Sequence, residues 1–553
     1  MKQVRKHLLL WSFLFLSTSV SFAQTSKIAP DLLGLLLGAL APVKVVIQYN
    51  SAPGLLDIGK LLSLGGTITQ QYTLIPGLAV TLPSAVVSLL ALDPAIAYIS
   101  PDRQLAGTLD YTAAAVNAQV AYQSGLTGAG VGVAIVDSGI YNHPDLASRV
   151  VYRQSFVAKT NYDDYGHGTH VAGIVAGSGA SSSGPQFTRT FKGIAPGANL
   201  IDLRVLDANG MSNDSVVVAA LDRAVALKSR YNIRVINLSL GRPIYESYNQ
   251  DPICKAVAAA WRNGIVVVVA AGNLGRNGYS TVTSPGNSPW AITVGAMKTE
   301  ATYQRSDDQI ASYSSKGPTW IDFGAKPDLV APGNLVDSLL APGSTLARTF
   351  PGNVVSPSSY MRTGSTTAPV YFQLSGTSMA TPVVSAAAAI LIQREPGLSP
   401  DTVKARLMKT ASKNFPLTSI AVDPQTGAVY PSTYDIFTVG AGYLDIAAAL
   451  GNHDSTNGNA ESPTLVWLPS LSTAVMFKAW GSTWDNNTWS LGNVWGTQVV
   501  RPSIGGTSAA WGEGTAWGSS AAWGESGKWG TSAAWGESWG SSAAWGEGTQ
   551  GEK

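Results

Sequence analysis

Val131-Gly132-Val133-Ala134-Ile135-Val136-Asp137-Ser138-Gly139 is an apolar, largely β-branched run that ends in a carboxylate and a glycine. Uninterrupted apolar strands are what a parallel sheet covered on both faces requires. The same character marks Leu200 to Val205, Val235 to Leu238, Ile265 to Ala270 and Ile292 to Val294. Between these runs, Ser215 to Lys228 and Asp251 to Arg262 repeat their apolar residues at helical spacing. Strands alternating with helices over 112–450 predict an α/β domain with a doubly wound, mostly parallel sheet. In open sheets of this kind functional groups collect beyond the carboxyl ends of the strands, and Asp137 stands at such an end.

Two further segments carry nucleophile chemistry. His167 lies in Gly166-His167-Gly168-Thr169-His170, a glycine-rich turn ahead of a helix over Val171 to Ala176. Ser378 lies in Gly376-Thr377-Ser378-Met379-Ala380-Thr381-Pro382, before an alanine-rich run to Leu391. A serine at a helix start is accessible, and the free N–H groups around it can face a developing negative charge. Taken singly, each residue has a plainer reading: a strand-end turn former, a tight turn, a helix cap. The chain order Asp, His, Ser is one of three in which unrelated folds assemble a catalytic triad.

The motifs Val133-Ala-Ile-Val-Asp137-Ser-Gly, His167-Gly-Thr-His-Val-Ala-Gly and Gly376-Thr-Ser378-Met-Ala-Thr-Pro resemble the three signatures of the subtilisin family. Val235-Ile-Asn-Leu-Ser-Leu-Gly241 resembles its substrate-lining strand, and Ala270-Ala-Gly-Asn273 its oxyanion segment; the likeness runs from about Thr112 to Leu450. The resemblance implies a serine endopeptidase with Ser378 as nucleophile, His167 as base and Asp137 as its orienting partner. It implies that Asn273 and the Ser378 N–H form the oxyanion hole. Ser239, Leu240 and Gly241 would pair with an extended peptide, and Ala271 and Gly272 would form the facing wall. Neither wall segment contains an acid, so the expected residue before the cut is apolar or aromatic.

The chain also departs from the family. Val383 stands where a histidine is usual and Ala386 where a glycine is usual, and the stretch from Pro332 to Leu374 is long enough for an extra surface loop or hairpin. No cofactor is required for the chemistry. A structural calcium is left open: Asp145, in His143-Pro-Asp145-Leu, resembles a family calcium ligand, but the partner loop, here Ser178 to Lys192, lacks the expected pattern. As an isolated surface carboxylate Asp145 is equally well explained, because calcium takes six to eight oxygens. His170 lies one turn from His167, but without the glutamate of a His-Glu-x-x-His motif a metallopeptidase is excluded.

Composition agrees with this outline. The 553 residues are 45% apolar and 13% charged, with a net charge of +2 and no basic stripe, which argues against nucleic acid as a partner. Cys254 is the single cysteine, read as a small buried hydrophobe, so no intrachain disulfide can form. Lys2, Arg5 and Lys6, the apolar Leu8 to Leu16 and Ser21-Phe22-Ala23 read as a signal peptide over 1–23, too short to span a bilayer. A secreted protein without a membrane span is expected.

After a linker at 24–42, residues 43–108 read as a small α/β domain with strands at Val43 to Tyr49, within Gly66 to Leu82 and at Ile96 to Ser100. Its helices are placed at Leu55 to Leu64 and Ser84 to Leu92, the latter capped by Ser84. The family resemblance makes this domain an inhibitory propeptide, self-cleaved between about 104 and 112, that acts as the chain's own inhibitor. From 455 to 553 a Trp/Gly-rich tail repeats Ser-Ala-Ala-Trp-Gly-Glu at 508–513, 520–525, 532–537 and 542–547. Its aromatics could stack on sugars, bind a surface or polymer, or form an irregular β layer on the catalytic domain.

Overall fold

The computed structural model describes residues 27–29, 32, 36, 42–72, 76–101, 108–158, 162–362, 368–422, 427–468, 473–479, 481–485 and 487–495. The expected signal peptide, most of the expected linker, the first part of the cleavage segment and the four repeats lie outside these residues. The chain divides into two compact units, 1–105 and 106–553, described here in turn.

The first unit is a four-stranded antiparallel sheet in the order β2-β3-β1-β4, with β1 at Pro42–Tyr49, β2 at Thr67–Gln71, β3 at Gly77–Pro83 and β4 at Ile96–Pro101. Helices α1 (Leu55–Ser63) and α2 (Ser84–Leu90) complete it. Alternate residues of β1, Val45 and Ile47, are buried with Leu78, Val80 and Leu82 of β3 and with Leu61 and Val87 of the helices. The elements fall where the pattern placed them, with one shift. Pro83, not Ser84, occupies the N-cap position of α2, because its extended backbone ends β3 and turns directly into the helix.

The second unit is built on one eight-stranded sheet whose path runs β11-β10-β9-β8-β5-β7-β6, with β12 also beside β10. The strands are β5 (Gly132–Asp137), β6 (Val150–Ser155), β7 (Asn199–Arg204), β8 (Ile233–Leu238), β9 (Val266–Ala270), β10 (Ile292–Lys298), β11 (Gln309–Ile310) and β12 (Leu329–Pro332). Pairing is parallel throughout except at β11, which runs antiparallel to β10. Every residue of β5, β9 and β10 is buried, as two covered faces require.

From β5 the chain winds one way through β7 and β6, and from β8 the other way through β9 and β10. The order therefore reverses between β5 and β8, which opens a crevice at their carboxyl ends. Helix α3 (His167–Ala176) starts at this crevice, and α4 (Asp214–Tyr231) and α5 (Pro252–Arg262) cover the sheet. Helix α6 (Thr377–Arg394) is buried from Thr377 to Ile392; Val383 and Ala386 are fully enclosed, and the run Ala386 to Ala389 lets it lie close to its neighbours. Helix α7 (Pro400–Thr410) follows it.

The long stretch after Pro332 forms a hairpin, β13 (Val336–Leu339) with β14 (Tyr371–Leu374). Its strands belong to the core, since all of β13 and three of the four residues of β14 are buried, while much of the described connection between them, including 351–353 and 357–359, lies at the surface. A second hairpin, β15 (Thr418–Val422) with β16 (Val429–Thr433), is exposed along much of its length.

The packed core continues past the expected start of the tail at 455. Residues 464–468 and 473–477 pair as β17 and β18, and Trp484, Trp489 and Trp495 are each about 1% exposed or less within the main core. Trp484 and Trp495 meet edge-on at 5.1 Å, and the indole N–H of Trp484 donates to Glu461 O at 2.6 Å. A buried indole is best kept with such a partner; the Trp489 N–H has one in Ser455 O at 3.4 Å, whereas the Trp495 N–H has none among the described residues.

Candidate active site

Asp137 ends β5 at the crevice and is fully buried. Its Oδ1 accepts the Ser138 N–H at 2.7 Å and faces His167 Nδ1 at 2.7 Å. His167 is the first residue of α3 and only 2% exposed. A carboxylate only accepts, so the proton of this pair sits on Nδ1 and Nε2 is left as the basic nitrogen.

Ser378 is the second residue of α6, and α6 packs against α3. Two reciprocal bonds stitch it to the end of β8: Ser378 Oγ donates to Ser239 O at 3.3 Å, and Ser239 Oγ donates to Ser378 O at 2.8 Å. Asn237 extends the stitch, donating to Ser239 Oγ at 2.9 Å and accepting from Ser385 Oγ at 2.8 Å. Leu240 and Gly241 continue beyond the last sheet pairing of β8. Beside them opens a cavity of 210 Å³ whose lining includes Leu206, Met211, Val217 and Tyr245. The Arg242 guanidinium at its edge is paired with Asp214 at 2.7 Å and Asp251 at 3.1 Å.

Across the crevice, Ala271 and Gly272 follow β9. Thr377 is a residue the motif reading passed over. Its hydroxyl accepts the Gly272 N–H at 3.1 Å and donates to Asn273 Oδ1 at 3.0 Å, and its N–H donates to the same oxygen at 2.9 Å. With the carbonyl end of Asn273 held twice, the amide nitrogen has a fixed direction. A Cβ placed on Gly376 would lie 3.1 Å from it, so the glycine keeps that space open.

One further reading is corrected. Asp145 is no isolated surface carboxylate: it is 1% exposed. Its Oδ1 accepts the Ser181 N–H at 2.7 Å and its Oδ2 the Tyr371 hydroxyl at 2.8 Å. Among the described residues no group of three or more His, Cys, Asp or Glu could hold a metal. Each carboxylate oxygen accepts one protein donor, which accounts for the burial of this side chain. Asp145 instead ties β14 to the loop at 178–182.

His170 is fully buried, and its Nε2 lies 3.0 Å from both Val336 O and Phe372 O. Burial, with His167 adding to it, pushes its pKa down to about 3. It therefore stays neutral and pins the β13–β14 hairpin; it is not a second base. Cys254 is 1% exposed, and burial pushes its thiol up, away from reactivity.

With this geometry in place, the comparisons are informative. Residues 128–430, more than half of the chain, match the subtilase family. Serine protease AprX of Bacillus subtilis (strain 168) is 40% identical over 344 residues, 60% of this chain and 73% of that protein. Subtilisin NAT of Bacillus subtilis subsp. natto is 34% identical over 356 residues, 63% of this chain and 78% of that one. Among solved structures, Sphericase is similar at 28% identity with a TM-score of 0.44, covering 58% of this chain and 92% of its own. The chain is a serine-type endopeptidase. It belongs to the subtilase family.

Proposed function

We propose that this endopeptidase cuts peptide bonds through Asp137, His167 and Ser378 by way of an acyl-enzyme, and that it is exported and matured by removal of its first unit. The observation that carries the catalytic reading is the buried 2.7 Å bond between His167 Nδ1 and Asp137 Oδ1 beside the helix start that bears Ser378. Ser378 Oγ attacks the scissile carbonyl while His167 Nε2 takes its proton. The same imidazolium then hands that proton to the leaving amine. Asp137 keeps the ring in the required tautomer and stabilises it when charged. Water, deprotonated by His167, attacks the acyl-enzyme and returns Ser378.

The Asn273 amide and the Ser378 N–H donate to the tetrahedral oxyanion. Replacing Asn273 by alanine is expected to lower kcat about 10²–10³-fold, the range for one lost oxyanion donor. Thr377→Val, which removes only the hydroxyl that aims Asn273, should cost about tenfold in kcat with little change in KM. Steady-state kinetics on a chromogenic peptide checks both. Unchanged kcat in Asn273→Ala would remove it from the oxyanion hole.

Ser239, Leu240 and Gly241 pair with the substrate backbone on one side, and Ala271 and Gly272 flank it on the other. The Arg242 guanidinium is held by Asp214 and Asp251, so it is not free to select an acidic side chain, and neither wall segment contains an acid. Profiling with a peptide library is expected to give apolar or aromatic residues before the cut; dominant selection of Arg or Lys would overturn this specificity. The export and maturation readings rest on the n- and h-regions at the start of the chain and on the separate α/β unit before residue 106.

A further inference from the structure

We propose that Asp163 is a positioning residue of the catalytic machinery, acting on His167 through Ser138 and through the first turn of α3; the inference rests on the triad reading. Asp163 is fully buried four residues before His167. Its Oδ1 accepts the Ser138 hydroxyl at 2.8 Å and the Gly166 N–H at 2.7 Å. Its Oδ2 accepts the Thr169 N–H at 2.8 Å and the Thr169 hydroxyl at 2.5 Å. Four donors on one enclosed carboxylate leave it a single orientation.

The network closes on the triad from both sides. Ser138 donates its N–H to Asp137 Oδ1, the atom that faces His167 Nδ1, while its hydroxyl accepts the Gly168 N–H at 2.8 Å. Thr169 Oγ1 accepts the Tyr141 N–H at 2.8 Å, which ties down the far side of the turn after β5. The N–H groups of Gly166, Gly168 and Thr169 belong to the start of a helix and have no partner within it. Here all three are turned onto Asp163 and Ser138. The strand end that bears Asp137 and the helix that begins at His167 are thus locked together by side chains that themselves touch no substrate.

The fit has little slack. A Cβ on Gly168 would lie 2.2 Å from Gly139 O and 3.2 Å from Asp137 Cβ, so the helix start rests directly on the turn. Displacements of about 1 Å between catalytic groups can cost on the order of 10²-fold in rate. In Asp163→Asn the amide NH2 would oppose N–H groups that the carboxylate now accepts, and the lock would loosen without any change at the peptide-binding strands.

The test measures kcat and KM per titrated active site for Asp163→Asn, Ser138→Ala and Ser138→Thr, with Asp137→Asn as reference. Asp163→Asn is expected to lose about 10–100-fold in kcat with KM within about twofold, and Ser138→Ala about tenfold. Ser138→Thr, which keeps the hydroxyl, should recover kcat to within about threefold of the parent. If Asp163→Asn does not fold, the Ser138 pair decides the matter. Parental kcat in Ser138→Ala, or an equal loss in Ser138→Thr, overturns the inference. Loss of activity in Asp137→Asn alone, with Asp163→Asn and Ser138→Ala unaffected, sinks the positioning role and spares the triad. Retained activity in Asp137→Asn sinks the triad reading itself.

Discussion

Ser378→Ala is expected to leave the fold intact, lower kcat on the order of 10⁶-fold and yield a chain that keeps its first unit. The magnitude is that found when the triad serine or histidine of subtilisin is removed. Ser378 lies on the first turn of α6, where its backbone and not its hydroxyl joins the helix, and Ser239 Oγ still reaches residue 378 O after the substitution. Loss of the nucleophile is therefore separable from loss of structure. Intact-mass measurement of the exported parent and variant provides the second readout. Cleavage between about 104 and 112 in the parent only would make maturation autocatalytic; the same cleavage in both would assign it to another peptidase. Residual hydrolysis near the parental rate in purified variant would sink the nucleophile assignment.

The largest expected effect on stability lies away from the site, at Asp328→Asn, best measured in the Ser378→Ala background where autolysis is absent. Asp328 is fully buried between two equally buried lysines, with Lys326 Nζ at 2.6 Å and Lys404 Nζ at 3.2 Å. The Ser462 hydroxyl donates to its Oδ1 at 2.6 Å and the Thr293 N–H to its Oδ2 at 2.7 Å. Removing one member of a buried ion pair leaves charge without compensation and typically costs about 3–5 kcal/mol. That is a large fraction of the roughly 5–15 kcal/mol by which domains are stable.

The pH dependence carries a definite sign. Burial alone would raise the Asp328 pKa, but the two ammonium groups and the Ser462 hydroxyl overcome it and hold the carboxyl below its ordinary value. A carboxyl with a depressed folded pKa contributes stability that is complete above its unfolded value of about 4 and is lost as pH falls through the folded one. Burial pushes the partner Lys326 down to about 7, so the gap between parent and Asp328→Asn should be widest on the mildly acid side of neutrality and narrow as pH falls through the folded Asp328 value. Denaturant unfolding at several pH values checks this, and a gap below about 1 kcal/mol at pH 7 would show that the cluster contributes little.

Parts of the molecule differ in how far the chain itself announced them, and the reason is physical. β5, β8 and β9 were plain because burial on both faces leaves almost only apolar residues in them. β6 was missed: Val150–Ser155 is half-exposed and carries Arg153 and Gln154, so it presents no apolar run. Asp137, His167 and Ser378 stood out because each sits in a short glycine-marked turn. Asp145 and His170 were open to other readings because their roles depend on partners remote in sequence, Tyr371 for one and the carbonyls of Val336 and Phe372 for the other. Asp163 had a local signal that went unread, an acid just ahead of a helix start. Thr377 had one too, a hydroxyl beside the nucleophile, but its task is visible only once Asn273 is brought across from β9. In the C-terminal region, the density of tryptophan and glycine drew attention to the repeats and hid the earlier tryptophans that belong to the core.

The burial of Trp484, Trp489 and Trp495 has a consequence for the life of a peptidase in its own company. Such an enzyme meets copies of itself at every moment, and any stretch that can be drawn out as an extended strand is a potential meal. The segment closing over α7 is shielded from that fate: Ser462 is joined to Asp328 and Lys404, and the indoles are enclosed. Erosion from the C-terminal end therefore cannot pass Trp495 without breaking into this core. The smallest durable form of this enzyme ends there or later, and not at the compositional break some forty residues upstream.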